Sequence, residues 1–293
     1  TAKGAGYYWN VNKQSSGVLK EIRQAFLDGD SKKAGYLTQE NFNGLGAYEE
    51  KDETPFRFGA FTTMGGLYVE TGLNELRMSN YRRILSLDSA MVVVQFDKDG
   101  VQYQRKYFIS YPDSVMVMKF TANQSGKQNL ILSYCPNSEA KSNLRADGKD
   151  GLVYTGVLDN NGMKFAFRIK AIHKGGTLEA ENDRLIVKGA DEVVFLLTAD
   201  TDYKMNFNPD FKDPKTYVGN DPEQTTRIMM DQAVQKGYDE LYRNHEADHT
   251  ALFNRVRLQL NPDISSPNLP TYQRLANYKK GTPDYQLEQL YYQ

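Results

Sequence analysis

The sequence has 293 residues and a mass of 33.4 kDa, and its 36 lysines and arginines nearly balance its 37 aspartates and glutamates, for a formal net charge of −1. This balance excludes the basic surplus that nucleic-acid binding requires. A hydrophobic fraction of 40% excludes general disorder, because a chain of this length can bury roughly 75% of its unfolded surface. The single cysteine, Cys135, allows no intrachain disulfide, and no segment approaches the roughly 20 apolar residues of a membrane helix.

The N-terminal segment begins with Thr1 rather than methionine and lacks the apolar core of a signal peptide. We therefore expect the chain to belong to a longer gene product. Within this segment, Tyr8 and Trp9 lie in an aromatic cluster followed by Asn10. Flat aromatic faces and an amide are the groups that sugars contact, so Tyr8 and Trp9 are candidate sugar-binding residues. A buried anchor for the segment is an equally supported interpretation.

The next segments predict two short helices within residues 17–40. Apolar residues recur at helical spacing over 18–27 and stop at Asp28-Gly29, and a second helix is predicted over 31–40. From Leu67 the pattern changes to short runs rich in Val, Ile, Tyr and Phe, separated by turn signals such as Asp99-Gly100. The runs predicted as strands are 81–87, 90–96, 101–109, 114–121, 128–134, 151–158, 163–172, 177–180, 184–187 and 192–198.

Strands at this density, with no helix between them, predict antiparallel sheets packed face to face. We therefore expect a large β-sandwich over residues 67–200, inside an N-terminal domain that spans residues 1–222. Residues 193–197 are apolar without alternation and predict a central strand that is covered on both faces. The glycine pairs Gly65-Gly66 and Gly175-Gly176 lack the spacing of phosphate-binding loops and are interpreted as turns.

The C-terminal region, residues 223–293, predicts a helical linker. Apolar residues spaced by threes and fours over 224–256 indicate one long amphipathic helix. A final short strand is predicted over 257–260, followed by a stiff proline-rich linker and by another helix over 285–292. That last helix has no capping signal, so we expect the protein to continue.

A zinc-binding pattern lies on the long helix, at His245-Glu246-Ala247-Asp248-His249. In H-E-x-x-H sequences two histidines one turn apart bind zinc and the glutamate acts as general base. Here, however, His245 lies on the apolar stripe and His249 at its edge, so packing and hydrogen bonding against the sandwich is the favoured interpretation. The other histidine, His173, lies in a predicted strand. We therefore predict no metal site and no cofactor, and a metalloprotease is a distant alternative.

Several segments together resemble the N-terminal part of glycoside hydrolase family 95, the inverting α-L-fucosidases of gut bacteria. They follow one another through nearly the whole chain, and no single motif carries the resemblance. The segments are YRRILSLDSA at 81–90, GVQYQR at 100–105, YPDSV at 111–115, GADE at 189–192, HEADH at 245–249, LFNRV at 252–256, LPT at 269–271 and RL at 274–275.

The resemblance implies a mainly β fold, a large antiparallel β-sandwich of the supersandwich type with short N-terminal helices and a C-terminal helical linker. In the family the linker leads to an α/α toroidal barrel, which would begin near Tyr285 and carries the catalytic groups. Family members invert the sugar: an acid protonates the leaving oxygen while water attacks the opposite face. Their glutamate, asparagines and supporting aspartate lie on the barrel, so we expect no catalytic residue in this chain.

The resemblance further implies a hydrolase acting on terminal α-linked L-fucose of glycans, with this chain as scaffold and Tyr8 and Trp9 as candidates for a loop at the mouth of the site. An α-L-galactosidase and a stand-alone carbohydrate-binding β-sandwich module are the alternatives. The implied partners are a fucosylated oligosaccharide or glycan and the downstream barrel domain, with no nucleic acid and no membrane span. The implied location is periplasmic or extracellular in a bacterium.

Overall fold

The computed structural model describes residues 2–3, 16–42, 61–74, 76–136, 140–158, 162–181, 183–208, 215–261 and 268–292. The chain divides into two compact units, Thr1–Glu246 and Ala247–Gln293. Among the described residues, none of the helices is long and apolar enough to cross a membrane.

Strands dominate the first unit. Two helices precede most of them, α1 (Leu19–Leu27) and α2 (Ser31–Phe42), with a 3-10 turn at Ser16–Val18. The strands are β1 (Ala2–Lys3), β2 (Phe61–Thr62), β3 (Gly65–Glu70), β4 (Met78–Ser86), β5 (Met91–Lys98), β6 (Val101–Ser110), β7 (Val115–Ala122), β8 (Gln128–Pro136), β9 (Ala140–Ala146), β10 (Gly151–Leu158), β11 (Lys164–Lys174), β12 (Thr177–Ala180), β13 (Arg184–Ala190) and β14 (Glu192–Thr201).

The strands form two large antiparallel sheets. The eight-stranded sheet has the order β4-β5-β6-β7-β14-β11-β10-β9, and the four-stranded sheet has the order β12-β13-β8-β3. Strands β1 and β2 pair separately. The predicted fold class, an antiparallel β-sandwich with short N-terminal helices and a C-terminal helical segment, is confirmed.

The core lies between the two sheets and is built from alternate residues of each strand. Phe195 of β14 contacts Phe120 of β7 edge to face at 5.7 Å, and Leu132 and Leu185 come from the opposite sheet. The intervening residues of β14, such as Leu196, point to the other face, where a helix covers them. The prediction of a central strand that is buried on both faces is therefore confirmed.

The covering helix is α3 (Pro222–Phe253), which packs Met230 and Leu241 onto the outer face of the eight-stranded sheet. The predicted long amphipathic helix is confirmed, but it is interrupted at Gly237, where φ is 72° and ψ is 172°. The apolar periodicity continues on both sides of this residue, so the sequence pattern did not show the break.

The requirement for glycine at the break in α3 can be tested by substitution of Gly237. Its φ and ψ lie in a region that essentially only glycine occupies, and an added Cβ would meet no atom within 4 Å. We expect Gly237→Ala to lower the free energy of unfolding by about 1–3 kcal/mol, measured by urea denaturation. Gly35 in α2 is equally open but helical, so Gly35→Ala should instead stabilise by roughly 0.5–1 kcal/mol. Equal changes in the free energy of unfolding for the two variants would show that the backbone conformation at Gly237 does not require glycine.

Two local predictions are wrong, and strand β9 was missed. Gly65-Gly66 is not a turn but the start of β3, because its backbone pairs with Pro136 and Cys135 of β8. Residues 257–260 form no strand, and the described part of the second unit offers no sheet edge that could pair with one. Strand β9 was not predicted, because its polar sequence AKSNLRA carries almost no apolar signal. The Gly175-Gly176 turn between β11 and β12 is confirmed.

The second unit contains the end of α3 together with α4 (Thr271–Tyr278) and α5 (Tyr285–Tyr292), so the helix predicted over 285–292 is confirmed. Arg274 of α4 donates two hydrogen bonds to Asp284, at 2.7 and 2.6 Å. Asp284 also accepts from the backbone N–H of Leu287 at 3.0 Å, so the buried carboxylate fixes the start of α5.

Candidate functional site

Asp113 lies in the turn between β6 and β7 and connects the sheet to both segments of α3. Its carboxylate accepts hydrogen bonds from Ser110 Oγ at 2.5 Å, Lys236 Nζ at 2.6 Å and Asn244 Nδ2 at 3.1 Å. Lys236 precedes the break at Gly237 and Asn244 follows it. The Asp113 side chain is only 2% exposed, so one buried carboxylate holds both helix segments on a single hairpin turn.

The protonation of Asp113 follows from these contacts. Burial alone would raise its pKa, but the hydrogen bonds from Lys236, Ser110 and Asn244 outweigh burial and hold the pKa below its usual value. The group is therefore ionised at neutral pH. A general acid needs a raised pKa, so the chemistry of Asp113 is that of a fixed anchor.

His245, the first histidine of the zinc-like pattern, packs against the sheet. Its ring stacks on Phe108 with a centroid distance of 5.0 Å, and Nε2 lies 3.0 Å from the carbonyl oxygen of Ser89 and 3.2 Å from that of Ala90. Carbonyl oxygens only accept hydrogen bonds, so Nε2 carries the proton and donates. The packing interpretation of His245 is therefore confirmed.

The other histidines are also engaged in local contacts. His249 stacks on Phe253 at 5.0 Å, and His173 Nδ1 lies 2.8 Å from the carbonyl oxygen of Gly175 in the β11–β12 turn. Across the described ranges no group of three His, Cys, Asp or Glu side chains is placed to hold a metal ion.

A groove of ≈ 470 Å³ lies beside the first turn of α3 and contains the carboxylates of Asp221 and Glu223. Both carboxylates take part in structural contacts. Asp221 Oδ1 accepts from the backbone N–H of Glu223 at 3.1 Å, and Glu223 pairs with Arg145 of β9 at 2.6 Å. These contacts fix the start of α3 on the edge of the sheet.

A second groove lies on the outer face of strands β4 to β7, the same sheet face that α3 covers further along, and has a volume of ≈ 480 Å³. We call it the amide groove. Its lining residues are Asn80, Arg82, Gln95, Phe96, Asp97, Gln102, Tyr103, Gln104, Thr121, Ala122 and Asn123. The sequence pattern did not reveal this groove, although polar residues alternate at 95 and 97 in β5 and at 102 and 104 in β6.

The strand register explains how the amide groove forms. Arg82 pairs with Gln95, Gln95 with Gln104, and Gln104 with Thr121, so these side chains form one row across four strands. The aromatic rings of Phe96 and Tyr103 point to the opposite face, where they stack at 5.2 Å in a buried cluster. The groove surface is therefore polar.

The sugar-binding candidates of the sequence analysis, Tyr8 and Trp9, lie outside the described residues. The structure therefore assigns them neither to the amide groove nor to the surroundings of Asp113, and their role stays a prediction.

Two family models match the chain. "Glycosyl hydrolase family 65, N-terminal domain" matches residues 3–206, and "Glycosyl hydrolase family 95 catalytic domain" matches residues 237–293. The first match covers the helices α1 and α2 and nearly the whole sandwich, and the second begins at the break in α3.

Curated relatives include "Probable alpha-fucosidase A" of Aspergillus niger, 26% identical over 92% of this chain and 33% of the relative. "Alpha-L-fucosidase 2" of Arabidopsis thaliana is 26% identical over 73% of this chain and 28% of the relative. The chain thus spans about a third of the length of these relatives.

A solved structure described as a candidate kojibiose phosphorylase from the human microbiome aligns with 64% of this chain and 27% of its own, with a TM-score of 0.45 at 10% identity. The matches to both family models and to the curated α-fucosidases confirm the resemblance stated from the sequence. The chain belongs to the family described as glycosyl hydrolase family 65, N-terminal domain, and continues into a segment that matches the catalytic domain of glycosyl hydrolase family 95.

Proposed function

We propose that the chain is the sandwich and linker part of an inverting α-L-fucosidase-type glycoside hydrolase, and that it acts as the scaffold for the catalytic domain. The names of the two curated relatives support the reaction class. The contact between Asp113 and Asn244 supports the scaffold role. It joins a turn of the sandwich to the segment that matches a catalytic domain.

The other contacts between the sandwich and α3 also support the scaffold role. His245, within the catalytic-domain match, donates to the backbone carbonyl groups of Ser89 and Ala90, directly before β5. Lys236, the residue directly before that match, pairs with Asp113. These contacts fix residues 236–245 of α3 on the sandwich, and catalytic sites depend on supporting contacts of this kind.

Under this proposal the reacting groups belong to the downstream α/α barrel, which is the protein partner of the sandwich. The substrate is a fucosylated oligosaccharide or glycan, degraded outside the cytoplasm in the periplasm or the extracellular space. The contacts of Asp113, Asp221 and Glu223 support this assignment of roles, because each of these carboxylates holds part of α3 in place on the sandwich.

The test compares hydrolysis of 4-nitrophenyl α-L-fucoside by this chain and by the protein extended downstream to the length of its relatives. We expect turnover by the extended protein and none by this chain. Activity of this chain alone would contradict the scaffold role.

A parallel assay with the α-L-galactoside separates the fucosidase from the related galactosidase, since the two sugars differ only at the exocyclic carbon. Preference for the galactoside would contradict the fucosidase assignment.

A further inference from the structure

The amide groove has an unusual composition for an exposed sheet face. Solvated sheet faces usually carry lysine and glutamate, whereas the polar residues that line this groove are mainly glutamine and asparagine. The two charged residues, Arg82 and Asp97, carry opposite formal charges and cancel. The surface is therefore polar and close to neutral.

The register places these groups in two adjacent rows. Arg82, Gln95 and Gln104 are directly paired across three strands, where neighbouring Cβ atoms lie about 5 Å apart. Asp97 pairs with Gln102 in the next row on the same face, about 7 Å further along the strands. Hydrogen-bonding groups thus recur at short intervals in two directions.

The second row is fixed by internal contacts, and the first row is not. Asn80 Nδ2 donates to Asp97 Oδ2 at 2.5 Å, and Asn123 Oδ1 accepts from the backbone N–H of Gln102 at 2.9 Å. In contrast, within the part of the chain that the structure describes, the side chains of Gln95 and Gln104 make no hydrogen bond. Both are half-buried in the groove, so their amide groups can form hydrogen bonds to a ligand.

The chemistry of the groove selects among ligand classes. An amide both donates and accepts hydrogen bonds, as a sugar hydroxyl does, so rows of amides match a polyhydroxylated ligand. A nucleic acid would require a positive surface and a lipid an apolar one. A peptide strand would pair with a sheet edge rather than lie on a face. The volume of ≈ 480 Å³ falls within the range of roughly 300–1,000 Å³ that is typical of small-ligand sites.

We propose that the amide groove is a binding site for neutral oligosaccharides, with Gln95, Gln104 and Arg82 as the residues that contact the ligand. Asp97 and Asn80 position the second row. The choice of a fucosylated probe rests on the proposed function, whereas the groove itself is argued from its own residues.

The experiment is isothermal titration calorimetry of the full chain with fucosyllactose, cellotetraose and maltotetraose, each up to millimolar concentration. We expect at least one probe to bind to the wild type. In the double variant Gln95→Ala/Gln104→Ala its Kd should increase about tenfold or more, because two hydrogen bonds are lost. The matched control, Gln232→Ala/Gln235→Ala, removes two exposed amides of α3 that do not line the groove and should leave the Kd unchanged.

Circular dichroism melting of both double variants shows whether they remain folded, and we expect that they do because the substituted side chains make no internal hydrogen bond. The proposal is wrong if none of the three probes binds, or if the groove variant and the control bind as the wild type does. Calorimetry does not depend on hydrolysis. If the fucosidase assay shows no turnover, the binding proposal is still tested by calorimetry. If no probe binds, the proposed hydrolase function is still tested by the assay.

Discussion

Gly176→Ala is expected to lower the free energy of unfolding by about 2–5 kcal/mol. Gly176, in the β11–β12 turn, has a φ of 66°, where an L-residue costs about 1–2 kcal/mol. An added Cβ would lie 2.2 Å from the carbonyl oxygen of Lys188, and would also approach backbone atoms of Gly189 and Ala190 within 2.6 Å. Backbone atoms of a paired strand cannot rotate away, so overpacking adds about 1–3 kcal/mol.

Gly189 provides a matched control for this substitution. It lies in β13 beside Gly176, has a φ of 64°, and an added Cβ there would meet no atom within 4 Å. Gly189→Ala should therefore lower the free energy of unfolding only by the cost of an L-residue at positive φ, about 1–2 kcal/mol. Urea denaturation followed by circular dichroism measures both variants. Equal costs for the two variants would show that the close approach of β13 to Gly176 does not limit the fold.

Asp113→Asn is expected to destabilise the protein by about 2–3 kcal/mol at neutral pH. The substitution removes the charge that accepts hydrogen bonds from Ser110, Lys236 and Asn244, and it leaves polar groups of the junction with poorer partners. The control is Asp99→Asn in the neighbouring β5–β6 turn, where the aspartate side chain is 66% exposed. An exposed substitution of this kind should change stability by less than about 0.5 kcal/mol.

The effect of Asp113→Asn should depend on pH with a defined sign. The hydrogen bonds hold the pKa of Asp113 below its unfolded value of 3.8, despite the opposing effect of burial. Its stabilising contribution is therefore fully present above the unfolded value and is lost as the pH falls through the lower folded value. Urea midpoints of the wild type and of the variant, measured from pH 7 down to pH 3, should converge below about pH 4. A difference in urea midpoint that stays the same from pH 7 to pH 3 would contradict the anchoring role of the ionised Asp113 carboxylate.

The local elements of this chain could be predicted from its sequence because their signals are local. The turn at Asp99-Gly100 and the alternating residues on either side of it produced the β5–β6 hairpin as expected. The apolar run at 193–197 correctly indicated a strand with two covered faces. His245 was correctly assigned to packing, because its place on the apolar stripe of α3 follows from helical periodicity alone.

The errors arose where backbone pairing overrode local preference. Gly65-Gly66 reads as a turn in isolation, but β8 offered a free edge for pairing. Strand β9 has a polar sequence, yet it completes the edge of the eight-stranded sheet by pairing with β10. In both places the hydrogen bonds to a neighbouring strand, rather than the residue types of the segment itself, decided the structure.

Neither candidate site was recognised from the sequence, because each depends on side chains that separate elements bring together. Asp113 contacts Lys236 and Asn244, which lie more than a hundred positions away. The amide groove exists because the register aligns Gln95 with Gln104 on one face of the sheet. By itself the sequence determined most of the elements, the fold class and the family, since periodicity and short motifs carry these. Only the tertiary structure decided which side chains meet, because the order and register of strands are set by burying both sheets at once.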